Sequence, residues 1–376
     1  MAAAGFETAD AVVIGAGIVG AACAEALARD RRRVVVLDAA FAGGGTTAAG
    51  MGHLVAMDDS PAQLALTAYS NRLWKERGAE LPADCELDAC GTLWVAEDAG
   101  QIAALEEKRA RYAEHGLAAE VVRAAELAAL EPNLRPGLPG ALRVPGDSVL
   151  YPPSAARAIL DRAKAAGASV REGTRVRALR EGEVETSDGV FRAAVIVNAA
   201  GARAAELTPG LPLVPRKGHL VITDRHPGFC RHQIVEVGYL TSAHTMSAES
   251  VAFNVQPRAT GQILVGSSRE LVGWDASINP RILARMLARA IAFLPALARL
   301  SAIRTWTGFR PATPDKLPLI GRWKAVPGLW IAAGHEGLGI TTSLATGRIL
   351  ADLVSGRTPE IDAAPFDPNR ETSRAA

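Results

Sequence analysis

The feature that most constrains the fold is the glycine pattern GAGIVG at positions 15–20, which lies between two short apolar runs. ADAVVIGAG predicts a strand that runs into a turn, IVGAACAEALARD predicts a helix, and RRRVVVLD predicts a second strand that ends in Asp38. From Asp10 to Asp38 these pieces form one βαβ unit, because parallel neighbouring strands need a crossover connection. The pattern therefore predicts a parallel sheet covered by helices.

The same spacing indicates an anion site. Bare backbone at Gly15, Gly17 and Gly20 lets a pyrophosphate approach the N-terminus of the helix, and Asp38 is placed to bind a ribose hydroxyl pair. An acid there favours a free 2′-hydroxyl over a 2′-phosphate, which it would repel. A glycine-rich helix packed tightly on a strand would show the same glycines, so this alternative stays open.

Composition and charge exclude several classes of protein. A chain of 376 residues has material for one large or two modest domains, and its net charge of +1 argues against nucleic acid or an anionic membrane as a partner. The few scattered cysteines indicate a reducing compartment, which we take to be the cytoplasm, and disfavour a metal site. The nearly uncharged stretch 11–28 contains Glu25 and no basic segment precedes it, so we interpret it as a buried strand and helix rather than a transmembrane segment.

The rest of the chain alternates between two kinds of pattern. Buried parallel strands are predicted at Val195 to Gly201 and Leu329 to Gly334, and strands typical of an antiparallel sheet at 214–223, 250–256 and 262–267. Further strands are predicted at 91–96, 141–144, 169–180 and 183–186, helices at 60–77, 99–115, 152–166, 278–293 and 341–353, and a loose tail at the C-terminus. Parallel patterns at both ends with antiparallel ones between them predict two interleaved domains.

A second strand-to-helix turn lies in LWIAAGHEGLGITTSLATG, residues 329–347. A buried strand runs into Gly334, Gly337 and Gly339, and a helix begins just after them, where unpaired N–H groups favour negative charge. Reduced flavin carries negative charge on its N1–C2=O edge, whereas a nicotinamide ring does not. Two such turns therefore suit FAD, with one end for the pyrophosphate and the other for the isoalloxazine, although an ordinary helix cap remains an alternative for the second.

Taken together, GAGIVG, Asp38, GGGTTAAGMG, VIVNAAGA, GFRPATPDKLPLIG and AAGHEGLGITTSLATG resemble the motifs of the D-amino acid oxidase superfamily. The resemblance is to its glycine oxidase and sarcosine oxidase branch, and within it to D-hydroxyproline dehydrogenases and the hydrogen cyanide synthase catalytic subunit. It implies an α/β (overall α+β) fold, with a Rossmann-like FAD domain at residues 1–84, 145–212 and 305–365. A substrate domain built on an antiparallel sheet is implied at 85–144 and 213–304.

The resemblance also assigns the cofactor residues. The loop GGGTTAAGMGH passes beside the cofactor, so Thr46 and Thr47 are expected to donate to phosphate or ribityl oxygens, and Gly50 to Gly52 to lie beside the isoalloxazine. His53 is expected at the rim, either as a catalytic group or as a residue that only supports the site. The full expected set is Gly15, Gly17, Ile18, Val19, Gly20, Asp38, Thr46, Thr47, Ala49, Gly50, Met51, Gly52, Val176, Ala200, Gly201, Arg310, Gly334, Gly337, Leu338, Gly339, Ile340 and Thr341.

Arg310 is the best candidate for binding substrate. Its position matches the arginine that fixes the substrate carboxylate in glycine oxidase-like enzymes, and a guanidinium fixes a carboxylate in both position and orientation. A surface arginine is the alternative. The cysteine that tethers flavin in sarcosine oxidases has no counterpart near Arg310, so noncovalent FAD is expected.

Three departures from the family pattern bear on the substrate. Gly337 stands where glycine oxidase has a second arginine, and Asn254 aligns with its substrate-site tyrosine. Arg269 falls where sarcosine oxidases carry the lysine that activates oxygen, which puts oxidase activity in doubt; the alternative for Arg269 is a surface charge at a strand end. No Asp or Glu stands out as a base.

These observations predict an FAD-dependent oxidoreductase that acts on a small amino or imino acid, with D-proline or cis-4-hydroxy-D-proline preferred. Hydride passes from the substrate Cα to flavin N5, with Arg310, Arg269, Asn254 and His53 as the candidate catalytic residues. A dehydrogenase outcome is expected, with electron-accepting subunits as candidate partners. An oxygen-dependent glycine or sarcosine oxidase, an NAD-dependent dehydrogenase and a non-catalytic FAD-holding subunit are the alternatives.

Overall fold

Two large sheets organise the part of the chain that the structure, a computed structural model, describes, which is residues 6–238 and 249–372. The strands are β1 (Phe6–Ile14), β2 (Val34–Leu37), β3 (His53–Leu54), β4 (Thr92–Ala96), β5 (Glu120–Arg123), β6 (Gly140–Val144), β7 (Ser148–Val149), β8 (Ser169–Arg171), β9 (Val176–Arg180), β10 (Glu183–Thr186), β11 (Val190–Asn198), β12 (Val214–Thr223), β13 (Gln233–Glu236), β14 (Glu249–Pro257), β15 (Ile263–Glu270), β16 (Ala302–Ala312), β17 (Leu319–Arg322) and β18 (Leu329–Ala333). The α-helices are α1 (Ile18–Arg29), α2 (Gly45–Ala49), α3 (Pro61–Arg77), α4 (Ala99–Glu114), α5 (Ala124–Leu130), α6 (Pro152–Ala165), α7 (Ala204–Leu207), α8 (Pro280–Phe293) and α9 (Gly339–Val354).

The first sheet has the order β17-β18-β11-β1-β2-β8, and β10 and β9 continue from β11. Its central pairs are parallel, with Ala11 opposite both Val195 of β11 and Val34 of β2. Ala11, Val12 and Val13 are completely buried because helices and loops cover both faces of the sheet. The carboxyl ends of β1, β2, β11 and β18 therefore open toward the same side of the molecule.

The second sheet has the order β16-β12-β15-β14-β13-β4-β6-β5. Its strands pair antiparallel except β13 and β4, which run parallel. Helix α8 packs against β14 and β15. The predicted combination of a parallel and an antiparallel sheet is confirmed, while the domain boundaries stay a prediction.

Local chemistry explains where several helices begin. Ser60 accepts a hydrogen bond from the Gln63 N–H at 3.1 Å, and Pro61 occupies the first position of α3. Asp98 caps α4 in the same way through the Gln101 N–H at 2.9 Å. These caps explain why the predicted starts of α3 and α4 lie within one residue of those observed.

Three expectations about local structure are wrong. The single strand predicted at 169–180 is two strands, β8 and β9, because a turn with Gly173 at φ +75° interrupts it. The stretch predicted as a loop after β2 contains the short helix α2, which Gly44 and Gly50 bound on either side. The described part of the C-terminal tail is held in place: Phe366 is completely buried, and the Arg370 guanidinium binds both carboxylate oxygens of Asp315 at 2.7 and 2.9 Å. The ion pair between Arg370 and Asp315, which are far apart in sequence, fixes this segment although its polar composition predicted a loose tail.

None of the helices in the described ranges is long and apolar enough to cross a lipid bilayer.

Candidate active site

A cavity of about 400 Å³ lies between the carboxyl ends of the parallel strands and the face of the second sheet. Both ends of the chain line it. The sequence-predicted residues on its wall are Gly15, Gly17, Ile18, Val19, Asp38, Thr46, Thr47, Ala49, Gly50, Met51, His53, Val176, Ala200, Gly201, Asn254, Arg310, Gly337, Gly339 and Ile340. The structure therefore brings together residues that are more than 300 positions apart in sequence.

The glycine turn forms one end of this cavity. Gly15 has φ +103°, a left-handed conformation that favours glycine. Helix α1 begins at Ile18 without a side-chain cap, although the Ile18 N–H donates to the Thr47 hydroxyl at 3.0 Å. The N-terminus of a 12-residue helix thus faces the cavity, which is a favourable place for an anion.

Asp38 lies beside this turn, and backbone donors hold its carboxylate. Its Oδ2 accepts from the Ala16 N–H at 2.7 Å and its Oδ1 from the Ala40 N–H at 2.8 Å. Each oxygen keeps further lone pairs, so the carboxylate can also accept from a ligand hydroxyl pair. Asp38 consequently has a structural role in the turn as well as the predicted role toward a ligand.

The loop at residues 43–53 is attached to the second sheet by three hydrogen bonds. The Thr46 hydroxyl donates to the Phe309 carbonyl at 2.8 Å, the Gln256 amide donates to the Met51 carbonyl at 2.9 Å, and the Trp306 indole donates to the Ala49 carbonyl at 3.3 Å. The Thr46 proton is therefore committed to Phe309. The hydroxyl oxygen of Thr47 accepts from Ile18, which leaves its proton for a ligand.

Gly50 shows why this loop carries so few side chains. A Cβ at this position would lie 2.8 Å from the Ile340 Cδ1, on the cavity wall. Gly17 is similarly confined, since a Cβ there would lie 3.0 Å from the Thr47 hydroxyl oxygen. The bare backbone forms a cradle that side chains would fill, and this fits a flat, extended cofactor.

Five predicted cofactor residues, Gly20, Gly52, Gly334, Leu338 and Thr341, are not on the wall of the large cavity. A Cβ at Gly20 would overlap the Gly15 carbonyl oxygen, one at Gly52 would overlap that of Leu150, and one at Gly334 would lie 2.8 Å from the Thr313 methyl. Leu338 lines a different cavity, and the Thr341 hydroxyl donates to the His53 carbonyl at 3.0 Å. A direct contact of these five residues with the cofactor stays a prediction.

Arg310 lies on β16 with its guanidinium against bare backbone. Its Nη1 donates to the Ser268 carbonyl at 2.9 Å, and a Cβ at Gly218 would overlap the guanidinium. A Cβ at Gly337 would lie 3.9 Å from the Arg310 Cδ and Nε. Gly218 therefore gives the Arg310 guanidinium its space, and Gly337, which replaces an arginine of the family pattern, lies beside it on the cavity wall.

Arg269 is buried, so the alternative of a surface charge at a strand end is wrong. It is 3% exposed on β15, and its Nε lies 3.5 Å from the Glu336 Oε1. Burial of a guanidinium is costly unless it is paired, and Glu336 supplies the pairing. Arg269 consequently presents its charge to the site and not to bulk water.

Glu336 is a candidate functional residue that the sequence interpretation missed. It lines the cavity, has φ +45°, and accepts a hydrogen bond from the buried Arg216 at 2.9 Å. Burial alone would raise the pKa of this carboxyl, but Arg269, Arg216 and Arg310 together lower the pKa below its ordinary value. Only its position inside the glycine-rich motif GHEG hinted at the site, because the three arginines are distant in sequence.

His53 enters the site as a neutral ring. Burial lowers its pKa to about 4, the hydrogen bond to Gly337 opposes this, and Arg310 and Arg269 lower the pKa further. Its Nε2 lies 3.2 Å from the Gly337 carbonyl oxygen, while its buried Nδ1 has no hydrogen-bond partner among the residues that the structure describes. A neutral imidazole with one nitrogen directed at a carbonyl and the other unsatisfied is suited to hydrogen bonding with a ligand.

A second, smaller cavity of about 50 Å³ adjoins the first. The two share the wall residues His53, Asn254, His335, Glu336 and Gly337. Asn254 is 3% exposed on β14, and its Oδ1 is a buried acceptor that no atom of residues 6–238 and 249–372 satisfies. The four predicted catalytic residues thus converge around the junction of the two cavities.

Comparison with known proteins gives the site a context. Residues 10–353 match the DAO family, described as FAD dependent oxidoreductases. Hydrogen cyanide synthase subunit HcnC of Pseudomonas aeruginosa is 32% identical over 96% of this chain and 95% of its own length. A glycine oxidase of the same organism is 31% identical over 95% of this chain and 98% of its own length.

A solved structure shares the whole architecture. L-proline dehydrogenase from P. horikoshii superposes with a TM-score of 0.88 at 26% identity, covering 97% of this chain and 98% of that chain. The similarity extends over nearly the whole length of both chains.

Proposed function

This chain belongs to the DAO family of FAD-dependent oxidoreductases, and we propose that it oxidises a small amino or imino acid, preferably D-proline or cis-4-hydroxy-D-proline, as a dehydrogenase. FAD is the cofactor of the family, so the alternative of an NAD-dependent dehydrogenase is wrong. That the protein is an oxidoreductase acting on amino acids follows from the family and its relatives. The substrate and the electron acceptor are our proposal.

The observation that carries the proposal is Arg310 at the cavity wall. Its guanidinium lies against Gly218 and Gly337, where neither glycine has a side chain that could cover it. Arg216, Arg269 and Arg310 all act on a single carboxylate, Glu336, so positive charge is in excess around the site. An excess of buried positive charge favours an anionic ligand, and a bidentate fork favours a carboxylate.

The residues of the large cavity fit FAD. We propose that the α1 N-terminus and Thr47 hold the pyrophosphate, that Asp38 accepts from ribose hydroxyls, and that the backbone at residues 50–51 and 337–340 holds the flavin without a covalent bond. When bound, FAD accepts the hydride that leaves the substrate Cα. The division into FAD residues 1–84, 145–212 and 305–365 and substrate residues 85–144 and 213–304 is part of this proposal.

The residues of the chain then orient the substrate. Arg310 binds the carboxylate, and the Asn254 Oδ1 and the unprotonated His53 nitrogen are placed to accept hydrogen bonds from the amine. Glu336 carries its charge between arginines and is a poor base, because their charge stabilises its ionised form. The substrate amine therefore enters deprotonated, and the imine product hydrolyses after release.

The proposed electron acceptor is a partner subunit, or a redox dye in an assay, rather than oxygen. Arg269 stands where the resemblance places the oxygen-activating lysine, and its charge is shared with Glu336. One relative is named as a subunit of hydrogen cyanide synthase, which supports electron-accepting partner subunits here. The free cysteines support a reducing compartment such as the cytoplasm.

An oxygen-dependent glycine or sarcosine oxidase is the second candidate, because a relative of similar identity is named glycine oxidase. A panel of D- and L-amino acids, glycine and sarcosine should be assayed first with a redox dye and then with oxygen alone. Dye reduction with cyclic D-imino acids and little hydrogen peroxide is the expected result. Stoichiometric peroxide from glycine or sarcosine would favour the second candidate.

Arg310→Lys tests the carboxylate anchor. An ammonium cannot reproduce the bidentate fork, so we expect kcat/KM to fall by about 10²- to 10³-fold, which corresponds to roughly 3–4 kcal/mol. FAD content should remain normal. The difference in kcat/KM between parent and variant should be smaller for amides of the substrate, which lack the carboxylate, than for the acids.

Arg304→Lys, on the exposed part of the same strand, is the matched control and should keep parental kinetics. The proposal that Arg310 binds the substrate carboxylate would be contradicted if Arg310→Lys kept most of its kcat/KM. It would also be contradicted if the variant preferred acid over amide as strongly as the parent does.

A further inference from the structure

The second cavity has walls of mixed chemistry, and several of its residues have no role in the proposed reaction. Val55, Met57, Val235 and Leu338 supply apolar surface, whereas Gln63 and Gln233 supply amide groups. Since a cavity of roughly 10–15 Å³ on this scale holds one water, about 50 Å³ accommodates a small substituent of a few heavy atoms.

Unsatisfied hydrogen-bonding atoms are concentrated on this wall. Gln63 Nε2, Gln233 Oε1, Asn254 Oδ1 and His53 Nδ1 are buried, and each lacks a partner among the described residues. Gln63 and Gln233 are 3% and 2% exposed, so bulk water does not satisfy them. Because buried polar atoms in folded proteins almost always have partners, these walls are built for a ligand or for ordered water.

The charges on the wall balance. Asp59 and Glu336 oppose Arg269 and Lys316, so the cavity presents no formal net charge. A substituent that carried a full charge would meet one of these groups with the wrong sign and lose its hydration. An uncharged group that both donates and accepts hydrogen bonds matches the two glutamines. It could accept from the unsatisfied Nε2 of Gln63 and donate to the unsatisfied Oε1 of Gln233.

We propose that the second cavity receives an uncharged hydrogen-bonding group, a hydroxyl or a carboxamide, carried by the side chain or ring of the substrate, and that Gln63 and Gln233 recognise it. This inference rests on the proposed function, because it requires the substrate carboxylate to lie at Arg310. From there the substituent reaches the second cavity beside His53 and Asn254, which line both cavities. It makes Gln63 and Gln233 determinants of specificity rather than of catalysis.

The experiment uses matched substrates with the FAD-loaded protein. Hydroxyproline is compared with proline. Asparagine is compared with two substrates of similar shape, leucine, whose side chain is apolar, and aspartate, whose side chain is charged. The parent is expected to prefer hydroxyproline and asparagine. Gln63→Leu and Gln233→Leu should each lower the ratio of kcat/KM for hydroxyproline over proline by about tenfold, as expected when one buried hydrogen-bond partner is lost.

If the glutamines had only a structural role, their replacement would lower kcat/KM for both substrates equally. The ratio of the two kcat/KM values is therefore the decisive readout. Gln262→Leu, at a partly exposed glutamine just before β15, is the matched control and should leave the ratio unchanged. The two test residues lie on different elements, α3 and β13, so misfolding of one variant leaves the other informative; FAD content and melting temperature report folding.

The outcomes separate the two proposals. If no amino acid reduces the dye, the proposed function fails and this inference fails with it. If amino acids are oxidised but both leucine variants keep the parental ratios, the cavity holds water only and this inference alone is overturned.

Discussion

At the scale of single residues, Gly50 shows how a missing side chain defines a site. Gly50→Val would direct a branched side chain at the Ile340 methyl and into the cavity, so we expect the variant to lose FAD. The ratio of flavin absorbance to protein after purification measures this. Ala48→Val, at an exposed position of α2, is the control that should remain loaded. A yellow, active Gly50→Val protein would remove the basis for the proposed cradle.

Asp147 gives a pH dependence of stability that can be tested with a conservative change. Its side chain is 2% exposed, and its Oδ1 accepts from the Ala56 N–H at 3.1 Å. Burial raises its pKa to about 7 from an ordinary 3.8, although hydrogen bonds from Thr92 and Ala56 oppose the rise. The folded protein therefore holds a proton that the unfolded chain releases between these two values. The stability that this carboxyl contributes is present at low pH and is lost as pH rises through about 7.

Asp147→Asn keeps the accepting oxygen and cannot ionise. Relative to the parent, the variant should gain roughly 3 kcal/mol in free energy of unfolding between pH 5 and pH 8, since each pH unit inside the window contributes about 1.4 kcal/mol. Urea denaturation at the two pH values measures the difference. Parallel pH profiles for parent and variant would show that Asp147 is ionised throughout.

At the scale of elements, the contact between α1 and α9 depends on one glycine. A Cβ at Gly347 would overlap the Ala22 carbonyl oxygen and lie 2.6 Å from its carbon. Gly347→Ala should therefore destabilise the protein by about 1–3 kcal/mol, although alanine favours a helix by nearly 1 kcal/mol over glycine. Thermal unfolding is the measurement.

Gly100→Ala on α4 is the control, because only the flexible Asp98 carboxylate lies near the added methyl, at 3.2 Å. Its stability should match or exceed that of the parent. A Gly347→Ala protein that is equally stable would mean that the two helices can separate without cost.

Elements with strong local signals were predicted well from sequence. Ser60, Pro61 and Asp98 mark helix starts through contacts within three residues, and alternation or continuous apolarity marks the strands. Helix α2 was missed because its sequence, GTTAA, between glycines has little helix propensity, and its hydrogen bonds to β16 stabilise it from outside. Tertiary contacts here override local preference.

At the scale of the whole molecule, FAD should act as part of the fold. The cavity walls come from both sheets, so filling the cavity stabilises the native state alone. Ligand at 100 times its dissociation constant adds about 2.7 kcal/mol, and the melting temperature should continue to rise with FAD concentration beyond saturation. Thermal unfolding of FAD-depleted protein with added FAD measures this, and the Gly50→Val protein should show no response. A melting temperature independent of FAD would contradict the cavity as its site.

The candidate site could be predicted from sequence only in part, and the division has a physical cause. Gly15, Gly17 and Asp38 belong to one local unit whose spacing fixes their geometry. Glu336 was missed because its role depends on Arg216 and Arg269, which reach it only after both sheets have formed. Gln63 and Gln233 have no motif, and only a shared cavity relates them.

The contact between α1 and α9 also determines when the protein can become an enzyme. The two helices are more than 300 residues apart in sequence, so their contact forms only after the segment from Gly339 onward has been synthesised. Until then, the small-residue face around Ala22 lacks the helix that packs on it, and the turn at Gly15 and Gly17 lacks the cavity wall at Gly339 and Ile340. A chain truncated before Gly339 is therefore expected to bind no FAD and to remain colourless.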